Sequence, residues 1–415
     1  MKRYVVIGNG ISTAGCIEGI KSADKEAKIT VISAEKHPVY CRPLISYYLE
    51  GKTTLEKMLY RKESFYKDND CTVIYGKKAV EIDKVHKHVK LEDETTVSYD
   101  TLCIATGSSP FVPPFEGLDT VQNKFAFMTI DDTLAIEKTL SKNARVLIVG
   151  AGLIGLKCAE GIADRVGQIT VCDLQTRILS SILDDTCASI MQNHLQKHNI
   201  SFLLGDTAKK FDRNKAYMQS GKIVEFDILV LAVGVRANTQ MCKAIGIEVN
   251  RGILVNDRME TSIEGIYAAG DCTEGNDISL GEKRVLAILP NAYMQGYTAG
   301  QNMAGTIAEF NNAIPMNSIG FFGLHAMTAG SYFDESTGGE VYEEKTEHGI
   351  KRLYTKDDLL TGYILIGDVA RAGIYTSLIR DKTSLKDINL ELLHKNPSLA
   401  IFFSEKRREK LGGVI

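Results

Sequence analysis

The chain has 415 residues, 44% of them hydrophobic, and a net charge of −3 at pH 7, so it is long enough for two or three domains with their own cores. Because 49 Lys and Arg residues balance 52 Asp and Glu residues, no basic excess indicates nucleic acid binding and no acidic tail indicates a solvating segment. No apolar run has the length of a membrane span, and Met1-Lys2-Arg3 leads directly into a predicted strand, so we expect a cytoplasmic protein without a cleavable signal.

The first predicted strand, Tyr4-Val5-Val6-Ile7, leads into the glycine-rich turn Gly8-Asn9-Gly10-Ile11-Ser12-Thr13-Ala14-Gly15 and a helical pattern. Such glycines let a pyrophosphate approach the N–H groups at a helix N-terminus. A second apolar run leads to Glu35, about 20 residues past the turn, where a ribose-binding carboxylate is expected. Thr13 stands where a third glycine is usual, so we expect Ala14 and Gly15 to supply the close helix packing. The alternative is that these glycines serve only a tight strand-to-helix turn.

A second unit of the same kind follows further along the chain. The run Thr101 to Pro110 reads as a buried strand ending in a turn, and Pro113-Pro114 then carries the chain away from the first unit. The second glycine turn, Gly150-Ala151-Gly152-Leu153-Ile154-Gly155, again follows an apolar β-branched run, and its next strand ends at Asp173. Two complete copies predict a chain that holds two dinucleotides at once.

The acid of the second unit bears on the choice of nicotinamide cofactor. The Asp173 carboxylate would accept ribose hydroxyls but repel a 2′-phosphate, which favours NADH over NADPH. Arg177, four residues further on, leaves NADPH open, because its guanidinium suits either a 2′-phosphate or a salt bridge to the nearby Asp184 and Asp185.

The later elements indicate that the second unit is inserted in the first. The run Ile228 to Gly234 ends the second unit, and the chain returns through Gly265 to Asp271. The predicted fold is α/β, with two nested Rossmann-like dinucleotide-binding domains and a small C-terminal α+β domain. In that last domain we expect short strands near 350–354 and 360–366, then a helix from Ala372 to Arg380. The predicted ranges are 1–112 and 246–311 for the first binding domain, 113–245 for the second, and 312–415 for a C-terminal interface domain.

These motifs together resemble the pyridine nucleotide-disulfide oxidoreductase superfamily over nearly the whole chain. The resemblance rests on both glycine turns and on four further segments, Ala105-Thr106-Gly107, Gly234-Val235-Arg236-Ala237-Asn238, Gly265 to Asp271, and Leu289 to Gly296. Two others, Tyr40 to Ser46 and Ile364 to Gly373, are similar to NADH:rubredoxin oxidoreductases and to the flavoprotein part of assimilatory nitrite reductases.

The resemblance implies FAD in the first site and NADH or NADPH in the second. Glu35 is then expected at the ribose of the FAD adenosine and Arg42 at the phosphates, while Asp271 would bind the flavin ribityl chain or, alternatively, only cap the following turn. The helix that begins near Pro290 and Asn291 would point its positive end at the flavin. The other positions assigned to the cofactors are Gly8, Gly10, Ile11, Gly15, Ala105, Thr106, Gly107, Gly150, Gly152, Ile154, Gly155, Asp173 and Gly234.

The chain departs from the family pattern at two positions. Many relatives place a lysine directly after the Arg-Pro-x-x-Ser element and pair it with a glutamate just after the second glycine turn, but these positions are Tyr47 and Lys157 here. We hypothesise that Lys157, expected on the first turn of its helix, supplies the cation near flavin N5, with Tyr47 as a hydrogen-bond or cation–π neighbour. The alternative is a solvated helix lysine.

The nine cysteines include no CxxC pair and no metal-ligand spacing, so neither a dithiol nor a metal site is predicted. Cys41 is the remaining candidate, because relatives that reduce peroxide, oxygen or coenzyme A disulfide carry one reactive cysteine near this region. Counted from the shared Leu49-Glu50-Gly51 segment, that catalytic position falls nearer Leu44. Four cysteines lie in apolar patterns and are expected in the core, namely Cys16, Cys103, Cys158 and Cys172.

The sequence thus predicts an FAD-dependent NAD(P)H oxidoreductase with catalytic candidates Lys157, Tyr47 and Cys41. Its electrons would pass to rubredoxin or another iron–sulfur redox protein, because no dithiol is available for disulfide exchange. Two alternatives stay open: a single-cysteine peroxide, oxygen or coenzyme A disulfide reductase, and a flavin-bearing electron-transfer subunit of a larger complex. A homodimer is compatible with the C-terminal domain, and neither nucleic acid nor a membrane is expected as a partner.

Overall fold

The structure is a computed structural model that describes residues 2–347 and 349–411; the ends of the outer predicted domains, residue 1 and residues 412–415, lie outside it. The strands in chain order are β1 Arg3–Ile7, β2 Lys28–Ser33, β3 Cys71–Tyr75, β4 Ala79–Asp83, β5 His88–Leu91, β6 Thr96–Ser98, β7 Thr101–Ile104, β8 Ser108–Pro110, β9 Lys124–Phe125, β10 Arg145–Val149, β11 Gln168–Asp173, β12 Ile200–Leu204, β13 Ala208–Asp212, β14 Lys215–Met218, β15 Ile223–Glu225, β16 Ile228–Leu231, β17 Val235–Ala237, β18 Ile253–Leu254, β19 Ile266–Ala268, β20 Thr273–Asp277, β21 Glu282–Arg284, β22 Met316–Phe321, β23 Leu324–Gly330, β24 Glu340–Thr346, β25 Gly349–Lys356 and β26 Leu359–Ile366.

The helices alternate with these strands in the nucleotide-binding parts of the chain. The α-helices are α1 Ile11–Ala23, α2 Ile45–Leu49, α3 Phe65–Asp68, α4 Ile130–Glu137, α5 Leu153–Ile162, α6 Asp185–Leu195, α7 Gln240–Ala244, α8 Leu289–Met303, α9 Ala372–Arg380, α10 Leu390–Lys395 and α11 Ser404–Leu411. Short 3-10 helices span Arg42–Leu44, Glu56–Met58, Leu118–Thr120, Ala163–Arg165, Gln196–His198, Glu335–Thr337, Leu385–Asp387 and Leu399–Ile401.

The first nucleotide-binding sheet is parallel and has the strand order β19-β7-β1-β2-β3. Its central strands are continuous β-branched runs such as Val5-Val6-Ile7, because a parallel sheet covered on both faces buries every side chain. Parallel neighbours need a crossover, and α1 supplies it between β1 and β2. Since β19 pairs with β7, the chain rejoins the first sheet after the second unit, as the sequence predicted.

The second nucleotide-binding sheet has the order β12-β11-β10-β16-β9 and is also parallel. Helix α5 connects β10 to β11, just as α1 connects the first two strands. Each sheet is accompanied by a three-stranded antiparallel meander, β4-β5-β6 with the first and β13-β14-β15 with the second in chain order. The predicted α/β fold with two nested Rossmann-like units is confirmed.

Helices α1 and α8 pack with their backbones nearly in contact. A Cβ atom on Gly15 would lie 2.3 Å from the Tyr293 carbonyl oxygen, and one on Gly296 would lie 1.9 Å from the Ser12 carbonyl oxygen. Only glycine leaves room for such an approach. The expectation that Gly15 supplies close helix packing is therefore confirmed, and its partner is α8.

The chain forms two compact units. The larger comprises Met1–Ile178, Gln196–Asn276 and Glu282–Ala313, and the smaller comprises Leu179–Leu195, Asp277–Gly281 and Ile314–Ile415. Both nucleotide-binding sheets lie in the larger unit. The exact boundaries predicted between the two binding domains stay predictions.

The smaller unit is built on an antiparallel sheet of order β22-β23-β26-β25-β24. Strands β25 and β26 contain the two predicted short strands, and α9 has the predicted bounds. Its core joins the sheet to α9 through the buried Tyr363, Tyr375 and Leu378, with the Tyr363 hydroxyl 2.8 Å from the Thr376 hydroxyl.

The described part of the chain contains no group of three or more His, Cys, Asp or Glu residues arranged to bind a metal ion. None of the helices in that part combines the length and apolar character that crossing a bilayer requires. The four cysteines expected in the core, Cys16, Cys103, Cys158 and Cys172, are all buried, which confirms that prediction.

Candidate functional site

The first glycine turn joins β1 to α1 in a conformation that requires glycine. Gly8 has φ +114°, and a Cβ atom there would lie 2.0 Å from the Ala105 carbonyl oxygen. At Gly10 a Cβ atom would meet no atom of the described residues within 4 Å, and α1 begins at Ile11 without a described side chain capping its N-terminus. Thr13 donates its hydroxyl to the Gly8 carbonyl at 3.0 Å. The turn thus leaves helix N–H groups beside open space, which fits a pyrophosphate.

Glu35 and Arg42, both assigned to the first cofactor, form an ion pair. The buried Tyr40 joins them, because its hydroxyl donates to Glu35 at 2.7 Å and accepts from Arg42 at 3.1 Å. Burial and the Glu35 charge raise the pKa of the Tyr40 phenol, against the effect of Arg42, so it remains a donor. Arg42 also donates to the Met128 carbonyl at 3.1 Å, and the Ile130 N–H donates to Tyr40 at 3.3 Å.

Asp271 follows β19 in a turn at the carboxyl edge of the first sheet. Burial raises the pKa of its carboxyl group, and this effect is opposed by the charge of Arg42 and by the Ser108 hydroxyl. The neighbouring loop residue Gly107, with φ +62°, has no described atom near its missing Cβ. A half-buried carboxylate beside an open loop suits hydrogen-bonding to a polyol.

Gln295 holds the loop that carries Asp271. Its side-chain oxygen accepts a 2.8 Å hydrogen bond from the Gly270 N–H and a 3.1 Å bond from the Thr273 hydroxyl. Gln295 lies on α8 and is buried. This contact ties the Asp271 loop to the helix whose N-terminus was assigned to the flavin.

Helix α8 begins at Leu289, with Pro290 in its first turn and Asn291 buried. Proline is compatible with a first helical turn because its missing N–H would have no intrahelical acceptor there. No described side chain caps this N-terminus at Ile288. Without such a cap, the positive end of the helix can attract an external anion.

The second glycine turn repeats the geometry of the first. Gly150 has φ +115°, and its Cβ would lie 2.2 Å from the Ala232 carbonyl oxygen, whereas Gly152 has open space at this position among the described atoms. Gly155 packs so tightly that a Cβ would lie 2.1 Å from the Gly150 carbonyl oxygen. Ile154 lies beside it in the first turn of α5, which also begins without a described side-chain cap.

Asp173 lies directly beside this second turn. Its carboxylate accepts a 2.7 Å hydrogen bond from the Ala151 N–H and a 2.8 Å bond from the Gln175 N–H. Gly234, at the end of the adjacent strand, has φ +108° and open space at its missing Cβ within the described part of the chain. The carboxylate is held where the ribose of a bound dinucleotide is expected.

Tyr47 and Lys157, the two departures from the family pattern, are in contact. The Lys157 ammonium lies 4.7 Å from the centre of the Tyr47 ring, which is within the range of a cation–π interaction. It also forms an ion pair with Glu160, whose side chain is only 5% exposed. Because α5 begins at Leu153, Lys157 opens the second turn of the helix, not the first as expected.

Cys41 does not have the surroundings of a reactive thiolate. Burial raises the pKa of its thiol, and only a hydrogen bond from the Leu44 backbone opposes this. It precedes the 3-10 helix Arg42–Leu44, which continues directly into α2, but the effect of burial on its pKa is the larger one. These surroundings favour the thiol form of Cys41.

Several residues at these sites were not assigned a role from the sequence. Tyr40, Ser108 and Glu160 each contact an assigned residue, and Gln295 binds Gly270 and Thr273 on either side of the assigned Asp271. Tyr40 lies in a segment that carried the family resemblance, and Glu160 lies one helical turn after Lys157, so sequence position pointed toward these two. Gln295 also lies in such a segment, Leu289 to Gly296, whereas Ser108 had no comparable signal.

A family model described as pyridine nucleotide-disulphide oxidoreductase matches residues 2–296. A relative from Aromatoleum evansii, the NADH-dependent phenylglyoxylate dehydrogenase subunit epsilon, is 30% identical over 395 residues, which are 92% of each chain. The assimilatory nitrate reductase electron transfer subunit of Bacillus subtilis is 31% identical over 394 residues. That alignment covers 93% of this chain but 49% of the relative, so the chain spans about half the length of that relative.

The NADH-rubredoxin oxidoreductase of Clostridium acetobutylicum is 26% identical over 370 residues, which cover 89% of this chain and 93% of the relative. Among solved structures, the covalent putidaredoxin reductase-putidaredoxin complex matches 99% of this chain and 98% of its own chain, with a TM-score of 0.87 and 20% identity. That structural likeness shows the fold. These findings confirm the resemblance that the motifs indicated: the chain belongs to the pyridine nucleotide-disulphide oxidoreductase family, whose members are NAD(P)H-dependent flavoprotein oxidoreductases that bind FAD and NAD(H).

Proposed function

We propose that this protein transfers hydride from NADH to FAD and passes the electrons to a small iron–sulfur protein, with rubredoxin as the favoured class. The observation that carries the proposal is the pair of glycine turns in one compact unit, each with a glycine at positive φ, open space at the next glycine, and a carboxylate at or just after the end of the next strand. When bound, FAD supplies the redox chemistry that links a hydride donor to a one-electron acceptor.

The first turn and its neighbours would hold the FAD. The open space at Gly10 admits the pyrophosphate to the N–H groups of α1. Glu35 would accept the adenosine ribose hydroxyls, and Arg42 would neutralise the phosphates from its place beside Glu35. Asp271, held by its loop, would accept the ribityl hydroxyls. The N-terminus of α8 would stabilise negative charge on the flavin.

The second turn would hold NADH. Gly152 and Gly234 leave room for the dinucleotide, and Asp173 would accept both ribose hydroxyls while repelling a 2′-phosphate. Lys157 would place its positive charge near flavin N5, oriented by the Tyr47 ring on one side and the Glu160 carboxylate on the other.

Two observations favour an iron–sulfur acceptor over a thiol route. A relative that aligns over 93% of its own length is named an NADH-rubredoxin oxidoreductase. The raised pKa of Cys41 also disfavours the thiolate that a peroxide, oxygen or coenzyme A disulfide reductase would need.

A second candidate function is a flavin-bearing subunit of a larger dehydrogenase complex. It is supported by the Aromatoleum evansii relative, which is named as a subunit and aligns over 92% of both chains. Both candidates share the NADH-to-FAD step and differ in what receives the electrons.

Purified protein separates these possibilities. We expect a yellow protein whose flavin is reduced by NADH without oxygen, and which then reduces rubredoxin much faster than peroxide. A colourless protein that does not take up FAD would contradict both candidate functions, because each requires bound FAD. Rapid flavin reduction with no transfer to rubredoxin, together with co-purification of an iron–sulfur partner, would favour the subunit of a larger complex.

A further inference from the structure

Two linkers cross between the two nucleotide-binding sheets. Strand β8 leaves the first sheet after the Thr106-Gly107 loop, and β17 leaves the second sheet after Gly234. They pair in an antiparallel manner, with Ser109 opposite Arg236. We call this pair of segments, residues 106–111 and 234–238, the linker seam.

One end of the linker seam is held by Asn238. Its side-chain amide donates to the Thr106 carbonyl at 2.8 Å, and its side-chain oxygen accepts from the Ser109 hydroxyl at 2.8 Å. Its own carbonyl accepts from the Thr106 hydroxyl at 2.9 Å, and its N–H donates to the Gly107 carbonyl at 3.0 Å. A single residue of the second linker thus makes four hydrogen bonds to the first linker, three of them to Thr106 and Gly107, which were assigned to FAD.

The other end of the linker seam lies at Gly234, one of the residues assigned to NADH. The Phe111 N–H donates to the Gly234 carbonyl at 2.9 Å, and the Arg236 guanidinium lies 3.8 Å from the centre of the Phe111 ring. The first linker is therefore hydrogen-bonded to Gly234, which was assigned to the second cofactor. Both ends of the seam touch residues assigned to a cofactor.

We propose that Asn238 is a positioning residue that sets the spacing between nicotinamide and flavin; the proposal rests on the two-cofactor function above. Hydride transfer needs reacting atoms about 3 to 3.5 Å apart, and a displacement of about 1 Å costs on the order of 100-fold in rate. The Asn238 bonds lie where the two binding loops meet, so a small rotation there would displace one cofactor relative to the other. Asn238 itself need not touch either cofactor.

The test replaces Asn238 by aspartate, which keeps the size and the acceptor for Ser109 but sets an oxygen against the Thr106 carbonyl. The matched control is Asn199→Asp, because Asn199 also donates its side-chain amide to a backbone carbonyl, that of Gly167 at 2.9 Å, away from the linker seam. Anaerobic stopped-flow measurements would give the rate constant of flavin reduction at saturating NADH, together with the NADH dissociation constant. FAD content and the unfolding midpoint would be measured on the same samples.

We expect Asn238→Asp to lower the rate constant per bound flavin by about 10-fold or more, and to weaken the long-wavelength absorbance between NAD⁺ and reduced flavin. FAD content and the NADH dissociation constant should stay near wild type, as a purely structural role would not allow. Equal rate constants in Asn238→Asp and wild type, or an equal loss in Asn199→Asp, would overturn the proposal.

Ser109→Ala provides a milder test should the aspartate variant fold poorly, because the exposed Ser109 makes only one of the four bonds. We expect a fall of about two- to threefold in the same rate constant, the effect of one modest hydrogen bond. An unchanged rate constant in this variant overturns the proposal. Failure of NADH to reduce the wild-type flavin at all would instead remove the proposed function itself.

Discussion

The two glycine turns follow the same backbone path, but different contacts stabilise them. In the first turn, Thr13 occupies the third position and donates its hydroxyl to the Gly8 carbonyl at 3.0 Å. In the second, Gly155 occupies that position, and any Cβ there would lie 2.1 Å from the Gly150 carbonyl oxygen. A side-chain hydrogen bond thus replaces direct backbone packing, which shows why the strict glycine pattern is not required at every copy.

Asp173 and Glu35, the two carboxylates assigned to ribose, also differ in the groups that hold them. Asp173 accepts hydrogen bonds from the N–H groups of Ala151, in the second glycine turn, and of Gln175, so the backbone holds its carboxylate in place. Glu35 is held by the side chains of Arg42 and Tyr40, so a bound ribose would have to share it with them. Backbone N–H groups hold the carboxylate of the second site, and side chains further along the chain hold that of the first.

The largest expected effect comes from exchanging the third residues of the two turns. Gly155→Thr would force a Cβ into the Gly150 backbone, so we expect the free energy of unfolding to fall by about 3 kcal/mol or more. The reciprocal change, Thr13→Gly, removes one hydrogen bond and a buried methyl group and adds a flexible glycine to α1, so it should cost about 2 kcal/mol. Urea denaturation of both variants measures this difference. An equal loss of unfolding free energy in the two variants would mean that the same kind of contact stabilises both turns.

Lys157→Met should lower the rate constant of flavin reduction by NADH about 100-fold, as expected when one preorganised charge near the reacting atoms is removed. Stopped-flow reduction without oxygen provides the measurement. The matched control is Lys243→Met, since Lys243 is an exposed lysine on α7 in the same unit. A rate constant equal to that of wild type would identify Lys157 as an ordinary helix lysine.

Asp173→Asn should weaken NADH binding about 10-fold, because it removes charged hydrogen bonds to the ribose. It should also narrow the preference for NADH over NADPH, since the repulsion of a 2′-phosphate is lost. Titration calorimetry with both nucleotides gives the dissociation constants. Glu35→Gln is the paired control, and it should leave NADH binding unchanged while weakening the binding of FAD. An equal change in the NADH dissociation constant in both variants would contradict the assignment of Asp173 and Glu35 to different cofactors.

The smallest effect is expected at Cys41, where Cys41→Ser should change turnover with rubredoxin by less than about twofold. A raised pKa means less thiolate at pH 8, so alkylation of Cys41 by iodoacetamide should be slow there and should still accelerate above pH 9. Peptide mass spectrometry follows the reaction, with Cys71, whose pKa burial raises to about 12, as an internal reference. Rapid alkylation at pH 6 would reopen the single-cysteine mechanism.

Local patterns predicted most of the fold. The β-branched runs marked β1, β10 and β16 because both faces of a parallel sheet are buried, and α9 was predicted with its exact bounds. The spacing from each glycine turn to its acid identified Glu35 and Asp173 as the ribose carboxylates to test. These signals are readable because each depends on residues close together in the chain.

The hydrogen bonds that hold the loops of the two sites could not be predicted from local sequence patterns. Gln295 holds a loop 25 residues before it, and Asn238 binds a loop about 130 residues before it, 132 at Thr106. Both residues lie in segments that carried the family resemblance, but nothing in the local sequence identifies the groups that they bind. Their partners are fixed only when the strands are arranged side by side.

The sequence by itself determined that this protein has two dinucleotide-binding units, one inserted in the other, because turns, periodicity and carboxylate spacing are local properties of the chain. Only the tertiary structure decided how Lys157 is held between Tyr47 and Glu160, that the Cys41 pKa is raised, and that Asn238 joins the two linkers. The physical reason is that burial, charge pairing and hydrogen bonding act over a few ångströms in space, and residues far apart in the chain reach those distances only in the folded protein.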